Sequence, residues 1–128
     1  MPNLTIQRIQ FSTSVDSKLR QLKARTGITP NILCRIGFCL SLEERGFPTK
    51  PLTTEGVGRE MNRHTLLGEY DVVFVALLKT WARAAGAKIK NNDDLNEALI
   101  AHMNRGAELL AGRIRTLADL QKILPKLS

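Results

Sequence analysis

The chain has 128 residues, 43% of them hydrophobic and 24% charged, with a formal net charge of +7. That length supports one domain over residues 1–128, and no apolar run approaches the ~20 residues of a membrane span. Met1-Pro2-Asn3-Leu4 lacks the profile of a secretory leader and two cysteines cannot make a disulfide framework, so a cytoplasmic protein is expected.

"LTIQRIQF" (4–11) is rich in β-branched residues, ends at a Ser/Thr cluster and reads as one strand. Its alternation slips, because Leu4 and Ile6 share one face while Ile9 and Phe11 take the other; a bulge near Gln7-Arg8 would restore a single face. No second strand is evident, so a second copy of the chain is the expected hydrogen-bond partner. "STSVDSKLRQLKARTG" (12–27) reads as a helix, with Thr13 and Asp16 as a capping box and Val15, Leu19 and Leu22 as one stripe. Gly27 is its stop.

"TPNILCRIGFCLSLEERG" (29–46) restarts with Thr29 as N-cap, Pro30 at the first helical position and Gly46 as the stop. Arg35 is its only charge between Pro30 and Leu42. A helix apolar nearly all round is buried on most sides, and a chain this small rarely surrounds one alone. Ile32, Leu33, Ile36, Gly37 and Leu40 are therefore expected in an oligomer core.

"FPTKPLTTEGVGRE" (47–60) reads as a connection. Three further helices are expected: 69–86 ending at Gly86, 91–112 with apolar residues at 95, 99, 103, 106–107 and 110, and 116–124. The last is capped by Thr116 with Asp119 and ends before Pro125. The fold class is mainly α, an N-terminal strand followed by about five helices. Residues 1–46 form a ribbon-helix-helix-like segment and 47–128 a helical remainder.

Charge is unevenly spread: residues 1–50 carry eight Lys/Arg against three acids, 51–87 four against four, and 88–128 seven against five. A cationic N-terminal third points to nucleic acid, although net charge also serves solubility alone. Arg8, Lys18, Arg20, Lys23 and Arg25 are the expected DNA contacts. Lys18 and Arg25 lie on one flank of their helix and Arg20 and Lys23 on the other.

No catalytic, metal or cofactor site is expected. Cys34 and Cys39, five apart, are turned about 140° from each other on a helix and read as packing. His64 and His102 have no second ligand at helical spacing, and His102 reads as a core or rim histidine. The acid pairs Glu69/Asp71 and Asp93/Asp94 start helices, where the macrodipole accounts for them. Walker, GxGxxG and GxSxG patterns are absent.

Strand, helix, sharp turn and buried helix on a basic segment resemble the ribbon-helix-helix layout, in which paired strands enter the major groove. Thr5, Gln7 or Arg8, and Gln10 would face outward, and the helix start at Thr29-Pro30-Asn31 could hold a phosphate. Equally, the strand could only stitch an oligomer together.

Beyond that layout, "RIQFSTSVDSKLRQLKARTGITPNILCRIGFCLSLEE" (8–44), "REMNRHTLLGEYDVVFVALLKTW" (59–81) and "HMNRG" (102–106) resemble the DndE family. This is the smallest protein of the Dnd system, which replaces an oxygen of a DNA backbone phosphate by sulfur. The resemblance implies a tetramer that binds double-stranded DNA, preferring nicked duplex. It also implies partnership with a cysteine desulfurase, a sulfurtransferase-like subunit and an ATPase; the lack of a catalytic constellation among the residues makes a non-catalytic role the expectation for this subunit. A ribbon-helix-helix transcriptional regulator and a nicking endonuclease that opens the strand for sulfur insertion are the alternatives.

Overall fold

The computed structural model describes residues 2–49 and 57–123. Strand β1 (Arg8–Ser12) leads directly into α1 (Thr13–Thr26), and α2 (Pro30–Glu43) follows a three-residue turn. Next come β2 (Val57–Asn62), a short α3 (Arg63–Leu67) and a 3-10 turn over Gly68–Tyr70. The helices α4 (Asp71–Ala85), α5 (Asn92–Arg113) and α6 (Leu117–Ile123) complete the order. The mainly helical class holds. The expected helices over 69–86 and 91–112 appear as α4 and α5, the first starting at Asp71 after the 3-10 turn. The stops at Gly27 and Gly86 stand, both glycines being left-handed with φ 77° and 76°. Pro125 lies outside the described residues.

The strand does have a partner in its own chain, contrary to expectation. β2 runs antiparallel to β1, pairing Ile9 with Met61 and Phe11 with Arg59. Its sequence, "VGREMN", hid it: one glycine and three polar residues dilute the period-two signal. Gly58 is required there, because a Cβ would lie 2.5 Å from the Thr13 Cα.

The slipped alternation has a different cause from the expected bulge at Gln7-Arg8. Residues 4–6 are not strand at all. Their amides and carbonyls go to side chains instead: Asn96 Oδ1 accepts from the Thr5 and Ile6 N–H groups, and Arg63 Nη1 donates to the Leu4 and Ile6 carbonyls at 3.0 Å. With that segment set aside, Ile9 and Phe11 are buried and Arg8 and Gln10 point outward. The register shift falls between Phe11 and Ser12. The buried Asn104 also closes this end of the strand, accepting the Ser12 N–H at 3.1 Å and donating to the Gln10 carbonyl at 3.0 Å.

Ser12, not Thr13, caps α1, its Oγ accepting the Val15 N–H at 3.1 Å. Asp16 is thereby released from capping and pairs with Arg59 at 2.8 Å and Arg20 at 3.2 Å. Thr29 does precede α2, but its side chain makes no capping bond, and α2 ends at Glu43, before Gly46. At α6 the expected reciprocal cap is present, Asp119 accepting the Thr116 N–H and Thr116 Oγ1 accepting the Asp119 N–H.

The core is built around the crossing of α2 and α5. Gly37 and Gly106 meet there backbone to backbone, and a Cβ on Gly37 would sit 2.6 Å from the Gly106 carbonyl. Small residues let the axes approach, so Leu33 and Phe38 of α2 and Leu99, Met103 and Ala107 of α5 are fully buried. Leu95 and Leu110 extend the same stripe of α5. Thus α2 is surrounded largely by its own chain. Leu33, Gly37 and Leu40 are buried by intrachain packing, and only Ile32 and Ile36 of the five expected oligomer residues keep exposed surface.

Apolar surface lies elsewhere. Phe74, Leu78 and Ala82 of α4 turn inward, Phe74 against Phe38 with ring centroids 5.0 Å apart. The opposite face carries Val72 at 80% exposure, Val73 at 51% and Leu77 at 37%.

Candidate nucleic-acid interface

Each cation either serves the fold or is free to serve a ligand, and counter-charges separate the two sets. Arg63 clamps the N-terminal segment and pairs with Asp71. Arg35 donates to the Leu66 carbonyl at 2.6 Å and lies over the Tyr70 ring. Arg105 donates to Ser41 Oγ and to the Ser41 and Gly46 carbonyls. These three hold segments together.

Of the five expected DNA contacts, three are paired. Arg8 sits 3.6 Å from Glu60 across the ribbon, Lys18 lies 4.0 Å from Glu108 of α5, and Arg20 belongs to the Asp16–Arg59 cluster. Lys23 and Arg25 are exposed and have no ion pair among the described residues. The structure therefore splits α1 by flank. Asp16, Arg20 and Lys23 face the β2 side, where Arg59 holds the buried carboxylate. Lys18 and Arg25, about two turns apart, face the α5 side.

The outer face of the ribbon is occupied with itself, since Arg8 and Gln10 both reach Glu60. At the start of α2, the Thr29 and Asn31 side chains bond each other, and Asn31 Nδ2 donates to the Thr65 carbonyl.

The α5 side carries features that charge counting missed. Arg45, exposed and without an ion pair among the described residues, precedes Phe47, which is 58% exposed. Phe47 stands edge-on to Trp81 with centroids 5.6 Å apart. A cavity of about 220 Å³ opens beside these rings, with Lys88 at its wall. A second, of about 260 Å³, runs from Phe47 past Arg105 to Val15 of α1 and Glu108, the partner of Lys18. One signal was available in the sequence: the chain's only tryptophan lies within a basic stretch, between Lys79 and Arg83.

The candidate catalytic groups are otherwise engaged. His102 is fully buried. Ser41 Oγ accepts from Arg105 Nε at 2.8 Å, so its own hydrogen is left for His102 Nδ1, also at 2.8 Å. Nδ1 is then the acceptor and Nε2 carries the proton. Nε2 has no hydrogen-bond partner, and the Trp81 ring packs perpendicular to the imidazole with centroids 4.3 Å apart. Burial, helped by the Arg105 charge, pushes the His102 pKa down to about 4.

Cys34 is buried in the core, and burial pushes its thiol up to about 12. Cys39, by contrast, is exposed and so does not fill space, correcting that half of the packing expectation. Its thiol is also raised, first by partial burial and then by Glu43. Neither thiol is tuned toward the reactive thiolate. Among the described residues no three His, Cys, Asp or Glu side chains gather to hold a metal ion, and no helix is long and apolar enough to cross a membrane.

Fold and surface define a small, mainly helical, cation-rich protein whose buried histidine and one cysteine are committed to packing. The chain belongs to the DndE family: the family described as "DNA sulphur modification protein DndE" matches residues 8–117. Among solved structures it is similar to DndE from Escherichia coli B7A, described as involved in DNA phosphorothioation modification. That likeness has 25% identity and a TM-score of 0.66, covering 84% of this chain and 99% of that one. It is also similar to a DndE variant with two glycines replaced by lysine, at 25% identity and a TM-score of 0.61, covering 82% and 97% of the two chains. No curated protein sequence matches. Its family role is in DNA phosphorothioation.

Proposed function

We propose that this chain is the non-catalytic DNA-binding subunit of a cytoplasmic DNA phosphorothioation complex. It binds double-stranded DNA, prefers nicked duplex and works as a homotetramer. Its partners are the other Dnd proteins, a cysteine desulfurase, a sulfurtransferase-like subunit and an ATPase, which handle the sulfur and the nucleotide. It needs no cofactor of its own.

The observation that carries the reading is a set of solvent-reaching cations on the Lys18–Arg25 flank of α1, next to Phe47 and in the connection between α4 and α5. Arg25, Arg45 and Lys88 have no anionic partner among the described residues, and Lys18 is held only at 4.0 Å. We take Lys18 and Arg25 as the phosphate contacts in preference to Arg20 and Lys23: Lys23 is itself unpaired among the described residues, but the Asp16 carboxylate offsets part of the charge of that flank. Arg8 is a weaker candidate, because Glu60 shares its charge. Cations on a phosphate backbone release counterions, so affinity falls steeply with salt and depends little on sequence.

The test is titration of labelled intact, nicked and single-stranded DNA across a salt series, with a supercoiled-plasmid nicking assay with and without Mg²⁺. Tighter binding to nicked than to intact duplex, a steep salt slope and no nicking are expected. Reversing Lys18 and Arg25 to Glu should reduce affinity and salt slope more than reversing Arg20 and Lys23. Wild-type binding by the Lys18/Arg25 double variant would remove that flank from the interface, and strand cleavage would restore the nicking-enzyme alternative.

A further inference from the structure

A loop that carries an exposed phenylalanine is normally free to fold the ring away. Here it is not. Arg105 reaches out of α5 and fixes the loop by its main chain, Nη1 donating to the Gly46 carbonyl at 2.8 Å and Nη2 to the Ser41 carbonyl at 2.6 Å. Gly46 has φ 78°, the left-handed turn that points the chain outward just before Phe47. The guanidinium thus holds the ring at 58% exposure. Trp81 backs it at 5.6 Å and is itself backed by His102 at 4.3 Å. Two aromatic rings and an imidazole are stacked edge to face from core to surface, and the outermost is presented to solvent.

Chemistry around that ring selects what can sit on it. The adjoining cavity, about 220 Å³, is lined by Phe47, Trp81 and Ile89. Asp94 and Glu97 form part of its wall. Those carboxylates repel a phosphate but can accept from ring or exocyclic N–H groups, so a neutral planar heterocycle suits the interior. Lys88 at the wall, and Arg45 in the cavity on the other side of Phe47, are placed for an anion outside it. An aromatic face with an acceptor-lined recess and cations around it is the arrangement that takes a base inward and keeps its phosphate at the rim. The volume is below that of a drug-sized site and fits one ring system better than a nucleotide.

We infer that the Phe47–Trp81 recess receives a single unstacked nucleobase, the one bordering a break in the DNA strand, and is the element that distinguishes nicked from intact duplex. This rests on the DNA-binding reading above and deepens it. At a nick one backbone is discontinuous, so the flanking base leaves the stack at lower cost than inside an unbroken helix. Stacking on the ring repays that cost only where it is small. Discrimination therefore follows without any group that cuts.

The experiment uses the full chain and a duplex with a central nick, its 3′-terminal base replaced by 2-aminopurine, beside the unbroken duplex of the same sequence. Wild type should change the 2-aminopurine emission and quench that of Trp81, the only tryptophan, with the nicked DNA more than with the intact. Phe47→Ala should lower affinity for nicked duplex about tenfold, shrink the nicked-to-intact ratio and abolish the 2-aminopurine response. Phe47→Tyr should restore all three. Leu117→Ala, which trims an exposed apolar side chain on α6, serves as the control and should leave the ratio unchanged. Circular dichroism checks that each variant is folded. If Phe47→Ala keeps the wild-type ratio and emission change, the recess is not the nick reader and the DNA-binding reading survives. If wild type binds neither duplex, both fall.

Discussion

His102 concentrates what a single residue can report about this fold. Its imidazole is buried, its Nδ1 accepts from Ser41, and its pKa is lowered to about 4 from the ordinary 6.5. A folded-state value below the unfolded one means that the unfolded chain takes up the proton first. The stabilisation is therefore fully present above about pH 6.5 and is lost as pH falls toward 4. Each pH unit in that window is worth about 1.4 kcal/mol, or up to about 3 kcal/mol in all. Denaturant unfolding at pH 7, 5.5 and 4.5 should show that decline, and His102→Asn, which keeps an acceptor near Nδ1, should flatten it. An equal slope in the variant would assign the acid sensitivity to other groups. Sequence spacing placed His102 correctly on the inner side of its helix. Ser41 and Arg105, which fix its tautomer, lie 61 and three residues away, and no local pattern links all three.

At the level of elements, legibility tracked how much of each element's signal is local. The stripe Leu95–Leu99–Met103–Ala107–Leu110 and the stops at Gly27 and Gly86 depend on neighbours in sequence, and they were readable. β2 depends on β1 for its existence, and its own glycine and charges concealed it. Asp16 reads as a capping residue in sequence because Arg59, its partner 43 positions on, falls in a stretch with the composition of a connection. Gly37, in an apolar helix, reads as a packing site for a second chain, whereas its neighbour is Gly106 of the same chain. Magnitudes decide what Gly37→Ala does. Alanine gains about 1 kcal/mol of helix propensity over glycine, but its Cβ would lie 2.6 Å from backbone that cannot rotate away. Overpacking of a tight core costs about 1–3 kcal/mol and more where main chain must move. The variant should be less stable in urea by about 2 kcal/mol with an unchanged m value. Stability equal to or above wild type would mean that α2 and α5 are not in close contact.

For the whole molecule, the question is which surface assembles the proposed tetramer. An all-round apolar α2 suggested that helix, but the structure covers most of it with α5 and exposes α4 instead. Val73 and Leu77, four residues apart, share one face of α4 and Val72 lies at its edge, a cluster of exposed apolar side chains of the kind that marks contact surfaces. Ile32 and Ile36 are the remaining members of the expected oligomer core with surface to contribute. A charge at Val73 meets water in a monomer and costs little, yet in a packed interface it is buried without a partner and costs several kcal/mol. Val73→Glu should therefore stay folded by circular dichroism while its mass by light scattering at micromolar concentration drops below that of wild type. Assembly also multiplies charge. If DNA is bound as proposed, each chain brings the same few cations to the phosphates, so a dissociated protein contacts fewer of them at once. The slope of log affinity against log salt scales with their number, and linked sites add effective concentration to each contact. Val73→Glu should accordingly bind DNA more weakly and with a shallower salt slope, although it removes no cation and lies on a different helix from Lys18 and Arg25. A variant of unchanged mass would take α4 out of the interface. A variant of reduced mass with wild-type affinity and slope would show that one chain alone makes the DNA contact.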